Sequence, residues 1–132
     1  MSKRKLPDYR LRQKILHIDK TPPEALIRYG DTYLESGAVS DALDFYTKAA
    51  HTSGVQNIRH YALDQGDAFL FLRASKALNE DPDPSEWRAI AHRAIELKKI
   101  SFARHALEKI NDMEGIQALT MAMKAEEAEK SA

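Results

Sequence analysis

The chain has 132 residues, of which 43% are hydrophobic and 30% are charged, and it contains few Gly and Pro residues. This composition fits one soluble helical domain and argues against a collagen-like or wholly disordered chain. The 20 basic and 20 acidic residues cancel, which disfavours a dedicated nucleic-acid binder. There is no cysteine, no apolar run of the roughly 20 residues that span a membrane, and no apolar core of a signal peptide after the basic start. We therefore expect a cytoplasmic protein.

Residues 1–20 are predicted to form a basic N-terminal arm, followed by a single helical domain over residues 21–132. Seven lysines and arginines oppose two aspartates in the arm, so it carries a charge of +5 and the remainder carries −5. Two interpretations stay open, a solvated tail or an arm that contacts an acidic partner or the acidic remainder of the chain. Tyr9, among Arg10 and Arg12, would suit contact with a partner or with a nucleic-acid base.

The first helix of the domain is predicted to start near Pro22, with Thr21 as its cap and Glu24 closing a capping box. It should run to about Ser36, where Gly37 supplies the turn.

A second helix is predicted from about Ser40 to a point before residues 52–54. Residues 55–78 read as a middle pair whose first helix is elongated and whose second is shortened, with residues 79–82 as a connector. The run Asp83-Pro84-Ser85-Glu86 then repeats the pattern of cap, proline and glutamate, and starts another pair of helices.

The last predicted helix carries one apolar stripe, formed by Met113, Ile116, Leu119 and Met123. Residues 124–132 are polar. We expect this helix to cap the apolar end of the domain.

Residues 26–49 contain small and aromatic side chains at the spacing of one helix-turn-helix repeat. Gly30 and Ala42 lack bulk where two antiparallel helices approach, and Tyr33 and Tyr46 fill the space on either side of that contact. The positions that carry the pattern are Leu26, Tyr29, Gly30, Tyr33, Gly37, Ala42, Tyr46 and Ala49. This stretch resembles one tetratricopeptide repeat.

Residues 87–110 resemble a degenerate second repeat, in which Ala94 replaces an aromatic side chain and Lys98 replaces the turn glycine. The matching positions are Trp87, Ile90, Ala91, Ala94, Ala103, Leu107 and Ile110. The resemblance implies an all-α fold, a right-handed α-solenoid of antiparallel helix pairs with a C-terminal capping helix. It also implies a concave groove, lined by the first helix of each pair, that binds a peptide or helix of a partner protein.

Carried onto this chain, the resemblance predicts groove residues on the first helix of the first and last repeats. They are Glu24, Ile27, Asp31, Leu34 and Glu35 in the first repeat and Ser85, Arg88, His92, Ile95 and Glu96 in the last. Their acidic and apolar side chains would favour a ligand with basic and hydrophobic residues. Because Ile27 and Asp31 stand where some relatives carry the lysine and asparagine that clamp a terminal carboxylate, we do not expect an adaptor for chaperone tails.

No pattern in the chain indicates catalysis, a metal or a cofactor. The five histidines show no metal or nucleophile spacing, and the five glycines are too scattered for a phosphate loop. His92, Glu96 and Arg88 could share a helix face as the beginning of an acid-base site, but a surface charge network is the more common reading. Residues 81–86 alternate acids as a calcium loop does, although their prolines disfavour that geometry.

The first functional hypothesis is therefore a non-enzymatic scaffold or adaptor that binds a peptide or helix of a partner protein. The second is association with nucleic acid through the basic arm. The third is a homodimer that covers an exposed apolar end of the array.

Overall fold

The computed structural model describes residues 6–131, and all of its regular structure is helical. The prediction of an all-α protein is confirmed for this part of the chain. Residues 1–5, with three of the basic residues predicted for the arm, lie outside the described residues. The helices are α1 (Tyr9–His17), α2 (Pro23–Glu35), α3 (Val39–Lys48), α4 (Thr52–Asp64), α5 (Ala68–Ala77), α6 (Pro84–Glu96), α7 (Ile100–Lys109) and α8 (Met113–Ser131).

Three consecutive pairs of helices have the same dimensions. In each pair a helix of 13 residues is followed by three connecting residues and a helix of 10 residues. The predicted elongation of the first middle helix and shortening of its partner are therefore wrong. The pairs begin at Pro23, Thr52 and Pro84, and the wider second interval arises from a longer linker, residues 78–83.

All six helices of these pairs end in the same way. The residue after each C-cap has positive φ, between 52° and 86°, and the N–H of the next residue donates to the carbonyl five positions back, as Ala38 does to Tyr33 at 2.9 Å. The residues with positive φ are Gly37, Gly66 and Lys98 after the first helices and Ala50, Asn79 and Asn111 after the second. Lys98 thus adopts the conformation that the resemblance assigns to a glycine.

The helix starts are less uniform than the ends. The capping box predicted at residues 83–86 is confirmed, since Asp83 accepts from Ser85 and Glu86 accepts from the Asp83 N–H at 3.1 Å. The predicted cap at Thr21 is wrong. Helix α2 begins at Pro23, so Pro22 occupies the N-cap position and leaves the Thr21 side chain one residue too far from the helix.

The chain divides into two compact units, Met1–Ile58 and Arg59–Ala132, with the boundary inside α4. In the first unit α2 packs on α3, and their core includes Leu26, Leu43 and Phe45. Phe45 stacks on Tyr33 with ring centroids 5.2 Å apart. Ala42 is fully buried, as the predicted close approach of the two helices requires.

Gly30 makes room for the ring of Tyr46. A Cβ at position 30 would lie 2.5 Å from Cε1 of Tyr46, and one at Gly54 would lie 2.9 Å from Cδ2 on the same ring. The Tyr46 ring therefore fits between two glycines, one on α2 and one on α4.

In the second unit α6 packs on α7, and α7 also contacts α5 and α8. Phe71, Ile90 and Ala103 are fully buried there. In the stripe predicted for α8 only Leu119 is buried, and Met113, the first residue of the helix, is 70% exposed. No helix among residues 6–131 is both long and apolar enough to cross a membrane.

Candidate partner-binding faces

The predicted groove residues of the first repeat lie together on the outward face of α2. Glu24, Leu34 and Glu35 are exposed, whereas Ile27 and Asp31 are half-buried. Helical spacing places all five on one side, opposite the buried Leu26. Arg28, which the sequence analysis did not include, is exposed at the edge of this acidic and apolar face.

Asp31 also has a structural contact. Its Oδ1 accepts a hydrogen bond of 2.5 Å from the Tyr46 hydroxyl, which belongs to a side chain only 3% exposed. Burial and this hydrogen bond raise the pKa of Tyr46 above its ordinary value. The carboxylate is therefore held in place on the α2 face, since it satisfies a phenol that the core would otherwise leave without an acceptor.

The predicted groove residues of the last repeat are on the exposed side of α6. His92 Nε2 lies 2.9 Å from Glu96 Oε1, and Arg93 Nη1 lies 3.1 Å from Glu96 Oε2. The His92 side chain is 81% exposed and that of Glu96 48% exposed, so solvent screens both contacts. Ser85, Arg88 and Ile95 are exposed on this helix too. The geometry is that of a solvated charge network.

A cluster around Arg59 in the second unit was missed by the sequence analysis. Its guanidinium makes two contacts with Glu86, of 2.8 and 2.9 Å, while Nε donates to Ser75 Oγ at 2.9 Å. Arg59 Nε also lies 3.3 Å from Glu80, and the guanidinium carbon lies 4.5 Å from the centroid of the Phe71 ring. The hydrogen bond from Arg59 lowers the pKa of Glu86 and raises that of Arg59 itself.

The place of Arg59 in its helix explains this cluster. The eighth residue of the first helix is Gly30 in the first pair but Arg59 in the middle pair. The eighth residue of the second helix is Tyr46 in the first pair but Ser75 in the middle pair. The large side chain is therefore on the second helix in the first pair and on the first helix in the middle pair. There Arg59 occupies the space beside the fully buried Ser75.

Aromatic side chains form a half-exposed cluster on α5 and α7. Phe69, which is 46% exposed, lies 5.4 Å from Phe102 and 4.5 Å from His105 between ring centroids. His105 Nε2 is buried and has no hydrogen-bond partner. Burial, with a further contribution from Lys109, lowers the pKa of His105 below its ordinary value.

An open pocket of about 470 Å³ lies in the second unit, beside the linker 78–83. Trp87 and Ile110 form part of its wall, and Arg88 and Lys109 bring positive charge against the single acid Asp81. Trp87 is 5% exposed, whereas the other lining residues are half-buried or exposed, so the pocket is a shallow surface feature with charged residues around a buried indole.

Helix α1 attaches the described part of the basic arm to the first unit. Ile15 and Leu16 are buried, and Arg12 Nη1 lies 3.2 Å from Asp41 and 3.4 Å from Asp44 on α3. Of the two interpretations left open by the sequence, residues 6–20 thus contact the acidic remainder of the chain.

The opposite side of α1 is exposed. Tyr9 is 71% exposed, with the Arg12 guanidinium 5.7 Å from its ring centroid, and Arg10 and Lys14 point outward.

Within residues 6–131, no three histidines or carboxylates come together as a metal site would require. No family model, no curated protein and no solved structure matches this chain.

Proposed function

We propose that the protein is a non-enzymatic, cytoplasmic scaffold or adaptor that binds a basic, amphipathic peptide or helix of a partner protein. The observation that carries this proposal is the face of α2, where Glu24, Asp31 and Glu35 stand beside Ile27 and Leu34. Opposite charge would steer such a ligand to the face, and its apolar side chains would cover the exposed Leu34 and the half-buried Ile27.

The proposal includes the finer architecture. Three helix pairs of equal dimensions would stack as a right-handed solenoid of the tetratricopeptide type, with α8 covering its end. The equal lengths and the six matching helix ends support this arrangement, since each pair would present its first helix in the same way. In the second unit, Arg88, His92 and Glu96 on the exposed side of α6 are the residues that such a repeat would offer to a ligand.

A direct test measures fluorescence anisotropy of a labelled helical peptide with lysine and leucine repeating every four residues. A matched peptide with glutamate in place of lysine controls for charge. The double variant Glu24→Lys and Glu35→Lys should bind the lysine peptide at least about tenfold more weakly, since it reverses two charges on the face. Asp31 is left unchanged because it holds Tyr46.

The control variant reverses the two exposed acids Glu126 and Glu127 on α8 in the same way. It should bind the lysine peptide as tightly as the intact chain does. Equal affinity of the α2 variant and the intact chain would refute the assignment of this face, and preference for the glutamate peptide would refute the charge argument.

The second candidate is association with nucleic acid through the basic arm, favoured by the exposure of Tyr9, Arg10 and Lys14. It predicts that binding of a single-stranded oligonucleotide weakens steeply with added salt and is lost on reversing Arg10 and Lys14 to glutamate. Salt-independent binding would refute it.

A further inference from the structure

The outward side of α1 is basic, with apolar side chains at its edges. Helical spacing groups Arg10, Lys14 and His17 on the side opposite the buried Ile15 and Leu16. Leu11 is 45% exposed, and Ile18, at the C-cap, is 76% exposed. Arg10 forms no salt bridge among the described residues, and Lys14 has only a 4.0 Å contact with Asp19. This side of α1 is thus a basic, amphipathic surface.

The α2 face has the opposite character. Asp31 and Glu35 are one helical turn apart, as are Arg10 and Lys14, so each pair of charges spans about 6 Å along its helix. Two helices lying side by side could therefore match both charges at once, while Ile27 and Leu34 met apolar side chains of α1. Arg28 at the edge leaves the α2 face with a net charge of about −2.

Within the chain, α1 already packs against an acidic helix. Arg12 lies between the carboxylates of Asp41 and Asp44 on α3, which are three residues apart, and Ile15 and Leu16 are buried beside it. The same helix therefore recognises an acidic helix through an arginine and a pair of aliphatic side chains on its inner side.

We propose that the outward side of α1 binds the α2 face of a second copy of this chain, so that copies associate head to tail. The inference rests on the proposed function, because it names an occupant for the α2 binding face. A second copy is favoured over nucleic acid because a phosphate backbone would leave Leu11 and Ile18 in water. The α2 face of a second copy matches both the positive charge and the apolar residues of α1.

Head-to-tail contact has a recognisable consequence. The two surfaces in contact differ, so each added copy leaves one α1 side and one α2 face free, and association grows with concentration instead of stopping at a dimer. Because exposed charges contribute much of the attraction, added salt weakens it.

The test uses sedimentation velocity on the full chain at low ionic strength, over a range of concentrations. One variant carries Arg10→Glu and Lys14→Glu, and another carries Glu24→Lys and Glu35→Lys. In the first variant both α1 and the α2 face are acidic, and in the second both are basic. Copies of either variant alone should therefore repel and associate at least about tenfold more weakly than the intact chain. An equimolar mixture should recover association, since an acidic α1 then meets a basic α2 and a basic α1 meets an acidic α2.

The variant with Glu126→Lys and Glu127→Lys has the same number of reversed charges and should associate as the intact chain does. An intact chain that stays monomeric, single variants that associate normally, or a mixture that fails to recover would each overturn the inference. Monomers that bind a single-stranded oligonucleotide through Arg10 and Lys14 would also overturn it, in favour of nucleic acid.

The peptide titration separates this inference from the proposed function. Peptide binding that depends on Glu24 and Glu35, in a chain that stays monomeric, overturns only the second copy as occupant. If the α2 variant still associates and still binds the peptide, both the proposed function and the inference are overturned.

Discussion

Arg59 is expected to stabilise the second unit more than any exposed charge does, and replacing it by alanine tests this. Its side chain is 17% exposed and contacts Glu86, Ser75 and Phe71 together. A hydrogen bond to a charged group contributes about 1.5–3 kcal/mol, reduced here because Glu86 is 26% exposed. Contact with the Phe71 ring adds about 1 kcal/mol. We therefore expect Arg59→Ala to lower the free energy of unfolding by about 3 kcal/mol.

The measurement is urea unfolding followed by circular dichroism at 222 nm, with the change read from the midpoint at constant slope. Arg59→Lys keeps the charge but loses the bidentate contact with Glu86, and should cost about half as much. As a matched control, Arg88→Ala removes an exposed arginine from α6 and should change stability by less than about 0.5 kcal/mol.

A double substitution tests the exchange of volume between helices. Ser75→Tyr alone should destabilise the protein by about 2 kcal/mol or more, because Arg59 already fills the space beside Ser75. Combining it with Arg59→Gly gives the eighth positions of the middle pair the same residues, Gly and Tyr, as those of the first pair. The free energy of unfolding of the double variant should exceed the value expected from adding the two single effects by at least about 1 kcal/mol. Strict additivity would refute the idea that these two positions share one volume.

The remaining predictions concern the core, the helix ends and pH. Ala42→Glu should unfold the protein, costing about 4 kcal/mol or more because it buries a charge at a fully buried helix contact, whereas Ala77→Glu at an exposed site should leave the helical signal intact. Ala50→Gly and Lys98→Gly should each raise stability by about 1 kcal/mol in the same urea assay, since both residues have positive φ; a loss at either site would contradict the argument. Burial lowers the pKa of His105 below its ordinary value of 6.5 in the folded state, so stability should be full above about pH 6.5 and fall as the pH drops below it, because the unfolded chain binds the proton first. His105→Phe should remove this part of the pH dependence, and an unchanged pH profile would refute the assignment.

Local signals in the sequence predicted much of the fold. The capping box at Asp83, the turn at Gly37, the bounds of α2 and the start of α3 depend on residues within a few positions of one another, and these agree with the structure within about a residue. The end of α3 was predicted less closely, since the helix ends at Lys48. The cap at Thr21 failed because two consecutive prolines allowed either of them to begin the helix. For residues 9–17 the sequence predicts positive charge but not helix α1, because the buried pair Ile15 and Leu16 is too short a pattern to indicate a helix.

For the candidate site, too, local spacing predicts some features, whereas others depend on contacts with another helix. That Glu24, Ile27 and Leu34 share an outward face follows from helical spacing alone. The second contact of Asp31 could not be read from spacing, because its hydrogen-bond partner Tyr46 is 15 residues away on another helix. For that reason a charge reversal at Asp31 would test folding and binding together, and only the two outer glutamates separate them.

The middle pair looked irregular because a repeat motif assigns each position its own residue size, whereas packing constrains positions together. At the eighth positions the first pair combines Gly30 with Tyr46, and the last pair combines Ala91 with Leu107. The middle pair places the large residue on its first helix and the small one, Ser75, on its second. Each pair combines one small and one large side chain at its two eighth positions. The summed volume of the two side chains therefore varies less between pairs than the volume at either position alone. A sequence pattern that considers the two positions jointly would therefore match all three pairs. In the middle pair the half-buried Arg59 also needs an acidic partner, which Glu86 provides.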